Sequence, residues 1–218
     1  MAYLESTVST LPRPRPAGAS ATHPGAWLFL RGPHRAAVDA PPGAVLFGRD
    51  GTLIQDVSCN GDPGTVHPLA GARASLAALR AAGFALGVLS AQPGVARCVL
   101  RREQVESVQA RTEMLLGPID VWAVCPHGPH DACDCRPPAP GLVTAACHAL
   151  GLPPALVTVV AHGDPLIEAA LTAGAHAVRI PDGAAPPPAA PCPPCVPVVC
   201  RTADSPEQAT GLLLRVRG

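Results

Sequence analysis

Three thiols and an imidazole stand within eleven residues in the run Cys125-Pro126-His127-Gly128-Pro129-His130-Asp131-Ala132-Cys133-Asp134-Cys135. A Cys₃His set is that of a closed structural zinc site, because four protein ligands leave no open position for water or substrate. Cys125, His127, Cys133 and Cys135 are therefore read as zinc ligands that hold a loop over the edge of a sheet. The alternatives are a cluster of reduced, unligated cysteines and a redox pair. The spacings CxH and CxC, rather than CxxC, weigh against the redox pair. His130 suits an exposed loop position better than a ligand role. Cys192-Pro193-Pro194-Cys195 with Cys200 lacks a fourth donor nearby and reads as incidental cysteines, and Cys59, Cys98 and Cys147 have no evident partners.

These groups need elements to position them. The first convincing strand is Ala44 to Phe47, running into Gly48-Arg49-Asp50-Gly51-Thr52. A helical pattern over 71–82 follows, with apolar residues at Ala72, Leu76, Leu79 and Ala82, then a strand from Ala85 to Leu89 ending in Ser90. The spacing predicts one long helix over 95–116, a strand over 119–124, the Cys/His loop, and a helix from Pro140 to Leu150 before Gly151. A strand over 156–161, a helix over 165–173 and a strand over 177–180 complete the alternation. Beyond the Pro-rich 181–195 stretch, 196–200 adds an edge strand and 205–216 a last helix. Strands alternating with helices predict an α/β fold, a Rossmann-like parallel sheet with helices on both faces and no large cap domain. In such sheets chemistry gathers at the carboxyl ends of the strands, here residues 48–52, 90–94, 125–136 and 162–164.

Composition bounds what the chain does. Sixteen basic residues balance sixteen acidic ones, which excludes a general electrostatic drive toward nucleic acid or anionic membrane. All the basic residues are arginine; there is no lysine for any mechanism that needs one. Seven of the 28 prolines lie in residues 1–42 and eight in 181–197, so two Pro-rich segments flank an ordinary core. The expected organisation is a Pro-rich arm over 1–42 in which Trp27 to Leu30 docks on the body, a central domain over 43–181, and a Pro-rich loop with a terminal strand and helix over 182–218. No apolar stretch approaches a membrane span, and the first 20 residues lack the apolar centre of a signal peptide. A cytoplasmic protein is expected, and nine cysteines, an odd number, make a disulfide framework the weaker reading. The Pro-rich arms are candidates for contact with a protein partner.

The runs AVLFGRDGTLIQDVSCNGDP, GVLSAQPGVAR, LLGPIDVWAVCPHGPHDACDCRPPAPGL and VVAHGDPLIEAALTAGAHAV, in that order over about 43–181, resemble the heptose-bisphosphate and histidinol-phosphate phosphatases of the haloacid dehalogenase (HAD) superfamily. The resemblance implies a Mg²⁺-dependent phosphomonoesterase working through an aspartyl-phosphate, with a first strand ending in DxDGT. Its second Asp, the acid/base, matches Asp50, whereas the nucleophile position is Gly48. The phosphate-binding hydroxyl after the second strand matches Ser90, while the neighbouring Asn and Ser of TNQSG are Ala91 and Pro93. The RKP motif becomes Arg136-Pro137-Pro138, so Arg136 is the expected phosphate donor and Pro137 stands where the lysine belongs. In the GDxxxD metal motif the two Asp positions fall on His162 and Leu166, and only a local insertion recruits Asp164. With Gly48 and His162 in place of carboxylates the Mg²⁺ site looks lost. These departures point to a silent or very weak phosphatase-like protein, stabilised by zinc, that binds a small phosphorylated ligand. The alternatives are an active phosphatase on a small phosphorylated sugar or histidinol phosphate, using Asp50, Asp56 or Asp164, and an enzyme of different chemistry with His162 as acid/base.

Overall fold

A computed structural model of the chain describes residues 25–31, 41–180 and 200–215. Most of both Pro-rich segments, with Cys192 and Cys195, lies outside these residues. Among the described residues the strands are β1 (Trp27–Leu30), β2 (Ala44–Gly48), β3 (Ala85–Ala91), β4 (Val121–Cys125), β5 (Val157–Ala161), β6 (His176–Arg179) and β7 (Cys200–Thr202). They form one sheet in the order β1-β4-β3-β2-β5-β6-β7. All pairings are parallel except β1 with β4, which is antiparallel. The helices are α1 (Ala72–Ala81), α2 (Pro93–Ala96), α3 (Arg102–Leu116), α4 (Gly141–Leu150), α5 (Asp164–Thr172) and α6 (Pro206–Arg215).

The predicted doubly covered parallel sheet is what the chain forms. β2 is buried along its whole length and sorts its side chains by the two-residue strand period. Ala44 and Leu46 join the core under α4 and α5, while Val45 and Phe47 join the core under α1, α3 and α6. Such all-apolar strands need helices on both faces. The chain leaves β2 toward β3 and β4 on one side and returns to β5 on the other. The crevice at that switch of direction lies above Gly48, where open α/β sheets place their ligands.

One element differs from the sequence reading. The expected continuous helix over 95–116 is broken into α2 and α3. Leu100, buried, packs into the space beside Gly94 and Gly61, and to get there the chain turns through Cys98 at φ 57. The new helix is then capped by Gln104, whose Oε1 accepts from the Arg101 N–H at 3.0 Å. Trp27–Leu30 does dock on the body, and it does so as the edge strand β1, paired along β4. Arg102 sits over the Trp27 and Phe29 rings at 5.3 and 5.2 Å, which ties the strand to α3. The terminal strand covers Cys200–Thr202, and residues 196–199 of the expected strand lie outside the described residues.

Glu113 of α3 holds the same edge, accepting from Trp122 Nε1 at 2.8 Å and pairing with Arg31 at 3.5 Å. Burial pushes its carboxyl above the ordinary range, against the opposing pull of the Trp122 N–H and the Arg31 charge. A carboxyl whose folded pKa is raised contributes stability that is complete below the unfolded value and is lost as pH rises through the folded one. Wild type should therefore lose stability relative to Glu113→Gln as pH rises above the ordinary carboxylate range, read from urea unfolding at acidic and neutral pH. A difference independent of pH would remove Glu113 as the source.

Candidate functional site

The loop after β4 brings the four predicted metal ligands together. Cys125 ends the strand, buried, and His127 is buried two residues on. Their Sγ and Nδ1 atoms are 3.6 Å apart, and Cys125 Sγ lies 3.8 Å from Cys133 Sγ and 3.3 Å from Cys135 Sγ. His127 Nδ1 is 3.2 Å from Cys135 Sγ, and all four donor atoms lie within 4.8 Å of one another. A tetrahedron with Zn–S of about 2.3 Å and Zn–N of about 2.0 Å has edges of roughly 3.5–3.8 Å. The donor set can hold a metal. The S–H of Cys135 points at Cys125 and, with His127 and Cys133 adding, pulls that thiol down to about 5, while Cys135 is pushed up. One thiolate thus forms easily, the proton loss that metal binding requires.

The loop is seated on the start of α4. The Gly141 N–H donates to the Asp134 carbonyl at 2.9 Å, and a Cβ on Gly141 would lie 2.2 Å from that same oxygen. No side chain fits there without moving the backbone between Cys133 and Cys135. Gly141→Ala should cost about 3 kcal/mol and weaken metal retention, measured by thermal unfolding and by metal release to a chromogenic chelator. Unchanged stability and metal content would show that the loop is held by its ligands alone.

The pocket lies at the carboxyl ends of β2, β3 and β5. Gly48, Arg49, Asp50, Thr52, Ser90, Pro137, His162 and Leu166 are among the residues that line it, and its volume is about 200 Å³. Asp50, the expected acid/base, is present. Its carboxylate accepts from Arg49 Nε at 2.9 and 3.0 Å and from Gln92 Nε2 at 3.2 Å. Gln92 also donates to Ser90 Oγ at 2.8 Å, so the expected phosphate hydroxyl is joined to Asp50 through one amide. Arg49 and Gln92 fall within the expected segments 48–52 and 90–94, but the sequence assigns neither a role. The available signal was position, since both lie just past a strand's carboxyl end in this fold.

Arg136 lies beside the metal loop. Its Nη1 donates to the His127 carbonyl at 3.2 Å, and it is not among the residues lining the pocket. The guanidinium braces the metal loop. Asp164 is also outside the pocket, 71% exposed at its side chain and paired with Arg179, and Asp56 is exposed. Asp50 is thus the one carboxylate among the lining residues.

Gly48 leaves little room for what it lacks. A Cβ there would lie 3.0 Å from Thr52 Oγ1, 3.4 Å from the Ala161 Cβ and 3.5 Å from Leu166 Cδ2. Apolar atoms close the side where the resemblance places metal carboxylates. His162 donates its N–H to Thr52 Oγ1 at 3.2 Å, and its ring covers Gly51, where a Cβ would come within 2.7 Å of it. Gly51 has φ 68, so glycine is required there both for its backbone and for the imidazole above it. Mg²⁺ takes oxygen ligands in near-ideal octahedral geometry. One carboxylate, already bonded to Arg49 and Gln92, among glycine, leucine and histidine does not fit that ion.

No family model matches the chain. Over 82 residues the chain is 35% identical to the D-glycero-beta-D-manno-heptose-1,7-bisphosphate 7-phosphatase of Pseudomonas putida, covering 36% of this chain and 47% of that protein. Over 120 residues it is 32% identical to the enzyme of the same name from Escherichia coli, covering 47% and 60%. The chain therefore spans about half the length of these curated relatives. Among solved structures, the D,D-heptose 1,7-bisphosphate phosphatase of Bordetella bronchiseptica, complexed with magnesium and phosphate, superimposes with a TM-score of 0.68 at 22% identity, covering 80% of this chain and 99% of that one. A HAD-superfamily hydrolase from Ehrlichia chaffeensis gives a TM-score of 0.56 at 14% identity, covering 84% and 100%. The fold is that of the HAD superfamily, and the sequence resembles its heptose-bisphosphate phosphatases.

Proposed function

We propose that this chain is a catalytically silent or very weak relative of the HAD phosphatases, a zinc-stabilised protein whose pocket binds a small molecule without hydrolysing it. The observation that carries this reading is Gly48 in the nucleophile position, bounded by Thr52, Ala161 and Leu166. Glycine has no atom with which to form a covalent phosphoryl intermediate. Pro137, which lines the pocket where the resemblance places lysine, removes the charge that would neutralise a transferring phosphoryl group. Zinc is the metal that best suits three thiols and an imidazole in a closed set.

The reading extends beyond the pocket. The Pro-rich segments, by composition, suit extended contact with a protein partner, which would make the protein regulatory. A thiol-built metal loop and an odd number of cysteines suit the reducing cytoplasm.

The test is turnover of heptose 1,7-bisphosphate and histidinol phosphate with Mg²⁺ by the purified full chain. Loss of the nucleophile costs about 10⁶ in a well-studied hydrolase, so turnover near 10⁻⁵ s⁻¹ or below is expected against an ordinary value of about 10 s⁻¹. Turnover of about 1 s⁻¹ abolished by Asp50→Ala would instead establish the alternative, a working phosphatase built around Asp50.

A further inference from the structure

From the chemistry of the lining we infer that the pocket accepts a small uncharged molecule, an apolar body bearing a hydroxyl or similar donor, and no longer accepts the phosphate ester that the fold suggests. The inference rests on the proposed loss of catalysis and names the ligand class of that same pocket. Three observations meet in it.

The first is charge. The chain has no lysine, and Arg49 is the one arginine among the lining residues. Its Nε is already engaged by both oxygens of Asp50. The pair is neutral as a unit, and Arg136 is turned to the His127 carbonyl. Arg49 Nη1 is buried without a hydrogen-bond partner, but with Asp50 beside it the lining carries no net positive charge from arginine or lysine, so a phosphate dianion would meet the Asp50 carboxylate as well as that one donor, and burying an uncompensated charge is costly.

The second is the wall. Leu89, Ala91, Pro137, Leu142, Ala161 and Leu166 supply apolar surface where a phosphatase needs carboxylates, lysine and ordered water. Leu166 reaches the space beside Gly48, and Pro137 occupies the lysine position. The third is size. A volume of about 200 Å³ exceeds the cavity of about 150 Å³ that suffices to take up a benzene ring when its walls are apolar. The carboxylate of Asp50 remains an acceptor at one end of this space, so a hydroxyl donor on a ring-sized body meets both requirements.

The experiment uses the full chain with its loop metal retained, at a pH of about 8 so that imidazole charge plays no part. The probes are benzyl alcohol, benzylamine, phenyl phosphate and inorganic phosphate, titrated with and without Mg²⁺ and followed by amide chemical shifts. Saturable binding of benzyl alcohol with a Kd of about 1 mM is expected, with phenyl phosphate and inorganic phosphate weaker by at least tenfold in either condition. Ala91 is an exposed residue of the pocket mouth, so Ala91→Trp should weaken benzyl alcohol at least tenfold without altering the melting temperature.

Phenyl phosphate that binds as well as the alcohol, and is not hydrolysed, overturns the ligand class and leaves the silent reading standing. If it is bound and hydrolysed, both fall. Tighter binding of benzylamine than of the alcohol overturns the neutral assignment. Absence of benzyl alcohol binding, or binding indifferent to Ala91→Trp, overturns the proposal outright.

Discussion

Stripping the metal from the loop after β4 is expected to lower the melting temperature of the protein by on the order of 10 °C. In small zinc domains the metal supplies about 10–16 kcal/mol, which is the whole of their folding free energy. Here the loop closes over an existing sheet, so part of the fold survives without it. What is lost is local. Cys125 and Cys135 lie buried in the core beneath α4, and without a cation their sulfurs meet at 3.3 Å. The seat of the loop on Gly141 and the brace from Arg136 to the His127 carbonyl both depend on the ligands keeping their places. A loss of about 4 kcal/mol converts to roughly 8–16 °C for a chain of this size. Cys135→Ser should match chelation and reduce bound zinc from about one equivalent to none, whereas Cys98→Ser, at an exposed position, should change neither. A chelated protein that melts where the metal-bound one does would show the cluster to be a set of packed thiols.

The metal loop was legible because its chemistry is local. All four donors fall between residues 125 and 135, and their spacing carries the geometry with it. The sheet was legible for a similar reason: runs such as Val45 to Phe47 and Val159 to Ala161 are apolar on both faces, which only a doubly covered parallel sheet satisfies. The pocket was legible only as a set of strand ends. That Arg49 would turn onto Asp50, Gln92 would join Asp50 to Ser90, and Arg136 would turn toward His127 are matters of side-chain direction. Each was settled by which partner lay within reach once four strands had come together. The break before α3 belongs to the same class, since Leu100 leaves the helical path for a space made by Gly61 and Gly94, glycines distant or adjacent in sequence. The apolar run Trp27 to Leu30 announces that the segment docks, but its place as an edge strand is set by the open edge that β4 presents.

Restoring the missing nucleophile alone should not restore a phosphatase. Gly48→Asp places a Cβ 3.0 Å from Thr52 Oγ1, the atom that receives the His162 backbone N–H, and 3.5 Å from Leu166 Cδ2. It would stand beside Asp50 with no divalent cation and no lysine, so two carboxylates would share a small pocket with one arginine, whose Nε already pairs with Asp50. The expected result is a lower melting temperature, by about 1–3 kcal/mol of stability, and turnover no higher than wild type. The obstacle is the whole charge arrangement, and its repair must be joint. Gly48→Asp with His162→Asp, Leu166→Asp and Pro137→Lys removes the apolar stop, supplies carboxylate oxygens around one point and returns the cation. That combination should raise the melting temperature when Mg²⁺ is added and raise turnover at least about 10³-fold over Gly48→Asp alone, because interdependent catalytic groups act as a unit. Substantial Mg²⁺-dependent turnover by the single variant would mean instead that Leu166 and Pro137 yield to the metal and that one glycine accounts for the silence.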